Sequence, residues 1–267
     1  MRAAGARSAA SDSGFAGDGA RPGVRSRRGF RLTLWIVKAV VAVIVLIALA
    51  SALVFVLTPS AGQATTLVRQ QAAERHIAYP GAQVPESFAQ ALVATEDHRF
   101  YSDPGVDPLA LARVVVSYIF GRKDQGGSTI DQQLAKNLYT SGNSDGLAQK
   151  LEQVALAIKL NRTYSRAQIL QMYAEIAYYG HGYYGLTAAS CGYFGRTPAE
   201  LTLVQAAMLA GVVNAPTYDD PLTYPAQARA RLVHVIGRMA TVGYLTKAQE
   251  DAALAAPLDL SSVRGCQ

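Results

Sequence analysis

The sequence predicts a mostly α-helical domain carried behind one N-terminal membrane-spanning helix, and three observations predict it. Residues 39–57 run without a single charge, which is long enough to cross a bilayer as a helix. From Glu86 onward, apolar residues recur at helical spacing, punctuated by Pro and Gly. No stretch shows the sustained apolar and polar alternation of a half-buried strand. With 267 residues, half of them hydrophobic, the chain has material for one ordinary domain plus accessories.

Residues 1–31 are rich in Gly, Ala, Ser and Arg and poor in large apolar side chains, so they read as a disordered basic tail. Residues 1–38 hold eight of the 25 Lys and Arg and two of the 19 Asp and Glu, which accounts for the whole net charge of +6. The rest of the chain carries 17 of each sign. A binder of DNA or RNA needs its basic surface on the folded part, so nucleic acid is excluded as a partner. Residues 32–57 form the expected membrane helix, with Lys38 able to snorkel and Trp35 suited to the interface. A signal peptide is the competing reading. The stretch exceeds a usual h-region, and Thr58-Pro59-Ser60-Ala61-Gly62 is a loose cleavage match, so an uncleaved anchor is favoured. The arginines lie on its N-terminal side, which puts the tail in the cytoplasm and residues 58–267 outside.

Residues 58–83 read as a connector with a helix at 63–76. Beyond it, helices are expected at 86–98, 108–120, 129–139, 146–161, 166–177, 184–193, 199–211, 225–242 and 247–255. The segment 108–120 is apolar on nearly every face and ends at Arg122 and Lys123. It is either a buried helix or one lying against lipid. Residues 243–267 are a C-terminal helix and tail. Cys191 and Cys266 could pair in an oxidising exterior, although they stand in unlike surroundings and nothing in the sequence brings them together, while the four histidines are scattered without metal spacing.

Two stretches carry candidate chemistry. In Ala94-Thr95-Glu96-Asp97-His98-Arg99-Phe100-Tyr101, Phe88, Leu92 and Glu96 share one helix face, which puts Glu96 at the edge of a core. A low-dielectric wall there would raise its pKa toward that of a general base working near neutral pH. Asp97 faces elsewhere. The plain alternative is a solvated acid pair at a helix end. In Gly126-Gly127-Ser128-Thr129-Ile130-Asp131-Gln132-Gln133, Ser128 is placed to cap a helix and Asp131 to complete a capping box. Free N–H groups at such a helix tip hold phosphate, and Gln132 and Lys136 present donors on one face. A plain capped surface helix fits the same residues.

Together these stretches resemble the peptidoglycan glycosyltransferases, glycosyltransferase family 51, especially the monofunctional membrane-anchored kind, over about residues 84–239. The family's Glu-Asp-x-x-Phe-x-x-His-x-Gly appears as residues 96–105, with Asp103 where His is usual. Its Gly-Gly-Ser-Thr-Ile-Thr-Gln-Gln-Leu-x-Lys-Asn appears as residues 126–137, with Asp131 in place of Thr. Its Arg-Lys-x-x-Glu aligns with Gln149-Lys150-Leu151-Glu152-Gln153, so Gln149 and Gln153 replace the Arg and Glu, and Glu152 lies one residue off. Ile169-Leu170-Gln171-Met172-Tyr173 matches the fourth motif, with Glu175 at its Asn, and Arg231, Val235 and Met239 match the last.

The resemblance implies a lysozyme-like helical domain, residues 84–242, that polymerises lipid II on the outer side of a bacterial cytoplasmic membrane. Glu96 would be the general base, with Asp97, Glu152 and Gln153 as further catalytic candidates. Ser128, Thr129, Gln132, Gln133, Lys136 and Asn137 would bind the diphosphate end of the substrate. The implied partners are lipid II, the growing lipid-linked glycan, membrane lipid and other cell-wall synthesis proteins. No cofactor is required by the resemblance, although a divalent ion such as Mg2+ assists some relatives. The segment 108–120 then becomes a lipid-facing one. The chain runs 28 residues past Met239 without a Ser-x-x-Lys, so no transpeptidase domain is expected. The altered third motif supplies an alternative, a weak or inactive relative acting as a membrane-tethered binding module.

Overall fold

The computed structural model describes residues 27–106, 128–140 and 146–261, with side chains from residue 32 onward except Leu147. The expected helix at 108–120, Gly126 and Gly127 lie outside the described residues. Among the described residues there are α-helices and short 3-10 turns but no strand, only an isolated bridge between Tyr178 and Tyr184. The chain divides between Ala50 and Ser51 into two compact units. Helix α1, Arg27–Leu57, runs through that boundary. From Leu32 to Ser51 its side chains are exposed, Trp35 by 72% and Leu46 by 65%, and it is long and apolar enough to cross a membrane. A helix apolar all round and unpacked is suited to hydrocarbon rather than water.

The second unit holds α2 (Ala64–Glu74), α3 (Glu86–Glu96), α4 (Ile130–Tyr139), α5 (Leu147–Thr163), α6 (Arg166–Ile176), α7 (Leu186–Phe194), α8 (Leu203–Val212), α9 (Pro225–Thr241) and α10 (Lys247–Ala255). Its centre is α8, whose Val204 to Val212 are all buried, as expected of a helix with no polar face. The expected single helix at 199–211 is instead a 3-10 turn, Pro198–Glu200, followed by α8. Thr202 causes the break: its hydroxyl accepts the N–H of Gln205, and the Gln205 side chain returns to the N–H of Thr202, a capping box that starts a new helix. Helices α3 and α9 pack against α8, and α4, α5 and α6 pack together. Phe88, Leu92, Leu134, Leu156, Ile169, Tyr179 and Met208 join one core.

Close approach fixes one glycine of this core. A Cβ on Gly192 in α7 would lie 2.1 Å from Tyr183 Cζ, whose ring stands edge-on to Tyr193 at 5.1 Å. Gly192→Ala is expected to destabilise the domain by about 1–3 kcal/mol through overpacking, read as a lowered midpoint in thermal unfolding. An unchanged midpoint would show that the Tyr183 ring moves aside freely.

Candidate active site

The site is assembled where the end of α3 meets the start of α4. Helix α3 stops at Glu96 because Asp97, at φ −158°, leaves the helix, its main-chain N–H still bonded to Val93 O. The Asp97 carboxylate then accepts the N–H of Ile130 at 3.2 Å, the first residue of α4. A carboxylate at a helix N-terminus satisfies one of the free donors there and opposes the helix dipole favourably. Thr129 is the cap of α4, with its hydroxyl accepting from Gln132 N and Gln132 Oε1 accepting from Thr129 N. Thr129 Oγ1 also donates to Gly105 O at 2.8 Å. Gly105, at φ +90°, lies so close to α5 that a Cβ would meet Ala157 O at 2.6 Å. One residue therefore separates the observed cap from the expected one, and the shift has two consequences. Ser128 is released to accept a hydrogen bond from Lys150 Nζ at 2.8 Å. Asp131 turns inward, 1% exposed, onto Arg166 at 3.2 Å.

The described part of the expected phosphate-holding helix tip already has partners for two of its N–H groups. The N–H of Ile130 is taken by Asp97 and that of Gln132 by the Thr129 hydroxyl. A helix whose first donors are already satisfied offers an anion side chains rather than backbone.

A cleft of about 640 Å³ opens beside these elements. It is lined by Glu96 from α3, by Ser128, by Gln132, Gln133, Lys136 and Asn137 from α4, by Gln153 from α5, by Tyr173 from α6, by Asn214 after α8, and by Arg231 from α9. Glu96, with its side chain 8% exposed, is the one carboxylate among the described lining residues. Its Oε1 accepts from Arg231 Nη2 at 2.9 Å, its Oε2 from Gln133 Nε2 at 3.0 Å, and Asn214 Nδ2 lies 3.2 and 3.3 Å from the two oxygens. Tyr173 donates its hydroxyl to Gln133 Oε1 at 2.8 Å. The Glu96 carboxylate is thus met by three donor side chains. Asp97, Thr129 and Glu152 do not line the cleft. Gln153, 8% exposed, does, so the α5 position that the resemblance gives to a glutamate presents an amide here.

Asp97, next to Glu96 in sequence, is buried. It is 7% exposed, and burial pushes its carboxyl up from 3.8 to about 7, with the Ile130 N–H opposing and the charges of Asp131 and Asp103 adding. An acid whose folded pKa is raised holds its proton more tightly in the native state. Its contribution to stability is therefore complete below about pH 4 and is lost as pH rises through about 7. At 1.36 kcal/mol per unit the loss is on the order of 4 kcal/mol. Asp97→Asn keeps an acceptor for Ile130 and cannot ionise, so its unfolding midpoint should fall much less than the wild type's between pH 5 and pH 8. Parallel pH profiles would refute this assignment.

Sequence reasoning left Arg231, Asn214, Lys150 and Tyr173 off the candidate set. Three of them fall in matched motifs, where pattern alone gave them no role. Asn214 carries no signal of its own, being placed by the end of α8. A divalent ion does not fit the described cleft residues. Hard cations need several oxygen ligands, mostly carboxylate, whereas Glu96 is already paired to Arg231, Gln153 is neutral, and Lys136 brings positive charge. No group of three His, Cys, Asp or Glu suited to a metal occurs among the described residues.

The transglycosylase family model matches residues 62–240. Penicillin-binding protein 1A of Aquifex aeolicus is 42% identical over 176 residues, covering 66% of this chain and 24% of the relative. Penicillin-binding protein 1A of Escherichia coli is 39% identical over 186 residues, 69% of this chain and 22% of the relative. A Cupriavidus necator relative whose name contains the word transglycosylase is 36% identical over 181 residues, 68% of this chain and 78% of the relative. The chain spans about a quarter of the length of the two penicillin-binding proteins.

Proposed function

Because the chain belongs to the transglycosylase family, we propose that it is a peptidoglycan glycosyltransferase that polymerises lipid II into glycan strands. The observation that carries this reading is Glu96, the lone carboxylate of the described cleft, aimed by three donors and facing the amide and ammonium groups of α4 and α5. Glu96 takes the proton from the acceptor's sugar hydroxyl. The hydroxyl oxygen bonds to the anomeric carbon of the lipid-linked chain from the face opposite the diphosphate. The carbon–oxygen bond to the diphosphate breaks, its electron pair leaves with the diphospho-lipid, and the configuration inverts. Charge grows on the departing diphosphate, where Lys136, Lys150, Ser128 and Gln132 stabilise it. A diphosphate leaves as a stable anion, so a second carboxylate to protonate it is dispensable.

In this reading residues 1–31 lie in the cytoplasm and 32–57 cross the membrane once. Residues 58–83 connect to the catalytic domain, 84–242, on the outer side, and 243–267 close it. Lys136 is exposed and without an ion-pair partner among the described residues. Lys136→Ala should therefore lower kcat by about 10²-fold with an unchanged unfolding midpoint, and wild-type turnover would remove Lys136 from the diphosphate site. The amide of Gln153 in the cleft favours a second reading, a membrane-tethered module that binds lipid II without joining it. Purified protein incubated with labelled lipid II separates the two. Glycan polymer on a gel supports the enzyme, and saturable binding without polymer supports the module.

A further inference from the structure

Resting on the assignment of Glu96 as the base, we propose that Tyr173 is a positioning residue whose phenol locks the amide of Gln133 and, through it, the proton-accepting oxygen of Glu96. The two oxygens of Glu96 are held differently. Oε1 is paired with Arg231 at 2.9 Å, and the shortest contact of Oε2 is the Gln133 amide at 3.0 Å. A lone pair on the oxygen bound to the guanidinium is the less basic one, so Oε2 is the oxygen free to take a proton, and Gln133 sets its direction.

An amide turned by half a rotation keeps its shape but exchanges donor for acceptor. With the carbonyl toward Glu96, two acceptors would face each other at a carboxylate whose side chain is 8% exposed. Tyr173 prevents this. Its hydroxyl reaches Gln133 Oε1 at 2.8 Å, and the residue is 2% exposed. Burial pushes its phenol well above the ordinary value, with the nearby charge of Glu96 adding, so the group remains a donor throughout the working range. With its proton donated to the carbonyl end of the amide, the buried hydroxyl favours the orientation that leaves the NH2 end for the carboxylate. The terminal torsion of glutamine is broad and roughly two-fold, so nothing within Gln133 itself would enforce that choice.

The experiment is a double-mutant cycle of Tyr173→Phe and Gln133→Met in the full chain, assayed with labelled lipid II. Each single change should lower kcat by about 10-fold with KM within about two-fold, and the double variant should match the worse single one. Equal losses from Tyr173→Phe in both backgrounds, or wild-type kcat for Tyr173→Phe or for Gln133→Met, would overturn the relay. If Tyr173→Phe does not fold, Gln133→Met alone still decides, because it leaves the phenol in place. Exchange of the Gln133 side-chain amide protons, followed by NMR, reads the lock without turnover: it should quicken at least about 10-fold in Tyr173→Phe, and unchanged exchange refutes the proposal. Glu96→Gln is the control that separates the two claims. If it keeps wild-type turnover the base assignment falls, whereas if it is silent and the Tyr173 cycle is additive only the relay falls.

Discussion

Glu96→Gln is expected to lower lipid II polymerisation by about 10²–10⁴-fold, the usual contribution of a general base, while the domain stays folded. Glutamine preserves the shape of the side chain and its place at the end of α3. It cannot take a proton at neutral pH, and it presents an NH2 to Arg231 or to Gln133, both of them donors that in the wild type meet the Glu96 carboxylate at 2.9 and 3.0 Å. The Arg231 guanidinium, 17% exposed, keeps Gly211 O at 3.1 Å and lies 3.9 Å from Asp219. Its charge is therefore not stranded, and the loss of stability should be modest. The check is polymer yield against unfolding midpoint. Residual activity above about a tenth of wild type would mean that the hydroxyl proton leaves by another route, and a collapsed midpoint would mean that Glu96 is first a structural anchor.

Arg166→Met should produce the largest loss of stability, about 3–5 kcal/mol. Arg166 is the first residue of α6, and it reaches across to Asp131 at 3.2 Å, where the carboxylate is 1% exposed. It also donates to Asp103 O in a close contact and lies 4.8 Å over the Phe100 ring. Removing it leaves Asp131 buried with its counter-cation gone, beside Asp97 and Asp103. Burial already pushes the Asp131 carboxyl up, with Arg166 as the main opposing influence. Without Arg166 that carboxyl should rise further, so the deficit relative to wild type should shrink as pH falls toward the carboxylate range and widen as pH rises above it. Adding Asp131→Asn should recover most of the stability at pH 8. A midpoint within about 2 °C of wild type, at roughly 2–4 °C per kcal/mol for a domain of this size, would rule out the ion pair as a stabilising contact.

Asp131 shows where motif reading stops. The sequence marks it as a departure at a Thr position and assigns it to a cap, because a first-turn acid usually serves one. In the fold Thr129 takes the cap, and the acid goes to Arg166, 35 residues on. Asp97 was legible as facing away from Glu96, yet its partner, Ile130 N–H, and its desolvation follow from how α4 approaches α3. Gln133 was legible as a cleft residue of the diphosphate side. Its observed partners are instead Glu96 and Tyr173, from helices before and after its own.

The sequence by itself determined the helical class, the apolar span of α1, the family and the presence of Glu96, Gln132, Gln133 and Lys136 in one functional neighbourhood. Those are carried by composition, period and motif spacing, which are local properties of the chain. Which carboxylate is desolvated, which oxygen of Glu96 is paired, and whether residue 152 or 153 reaches the cleft were decided by the tertiary structure alone. The pairing of Glu96 depends on donors from α4, from just after α8 and from α9, up to 135 positions away, and the surroundings of Asp97 on how α4 approaches α3. The strength of a charge or hydrogen bond is set by the neighbours that replace water around it, and those neighbours exist only once the helices have packed.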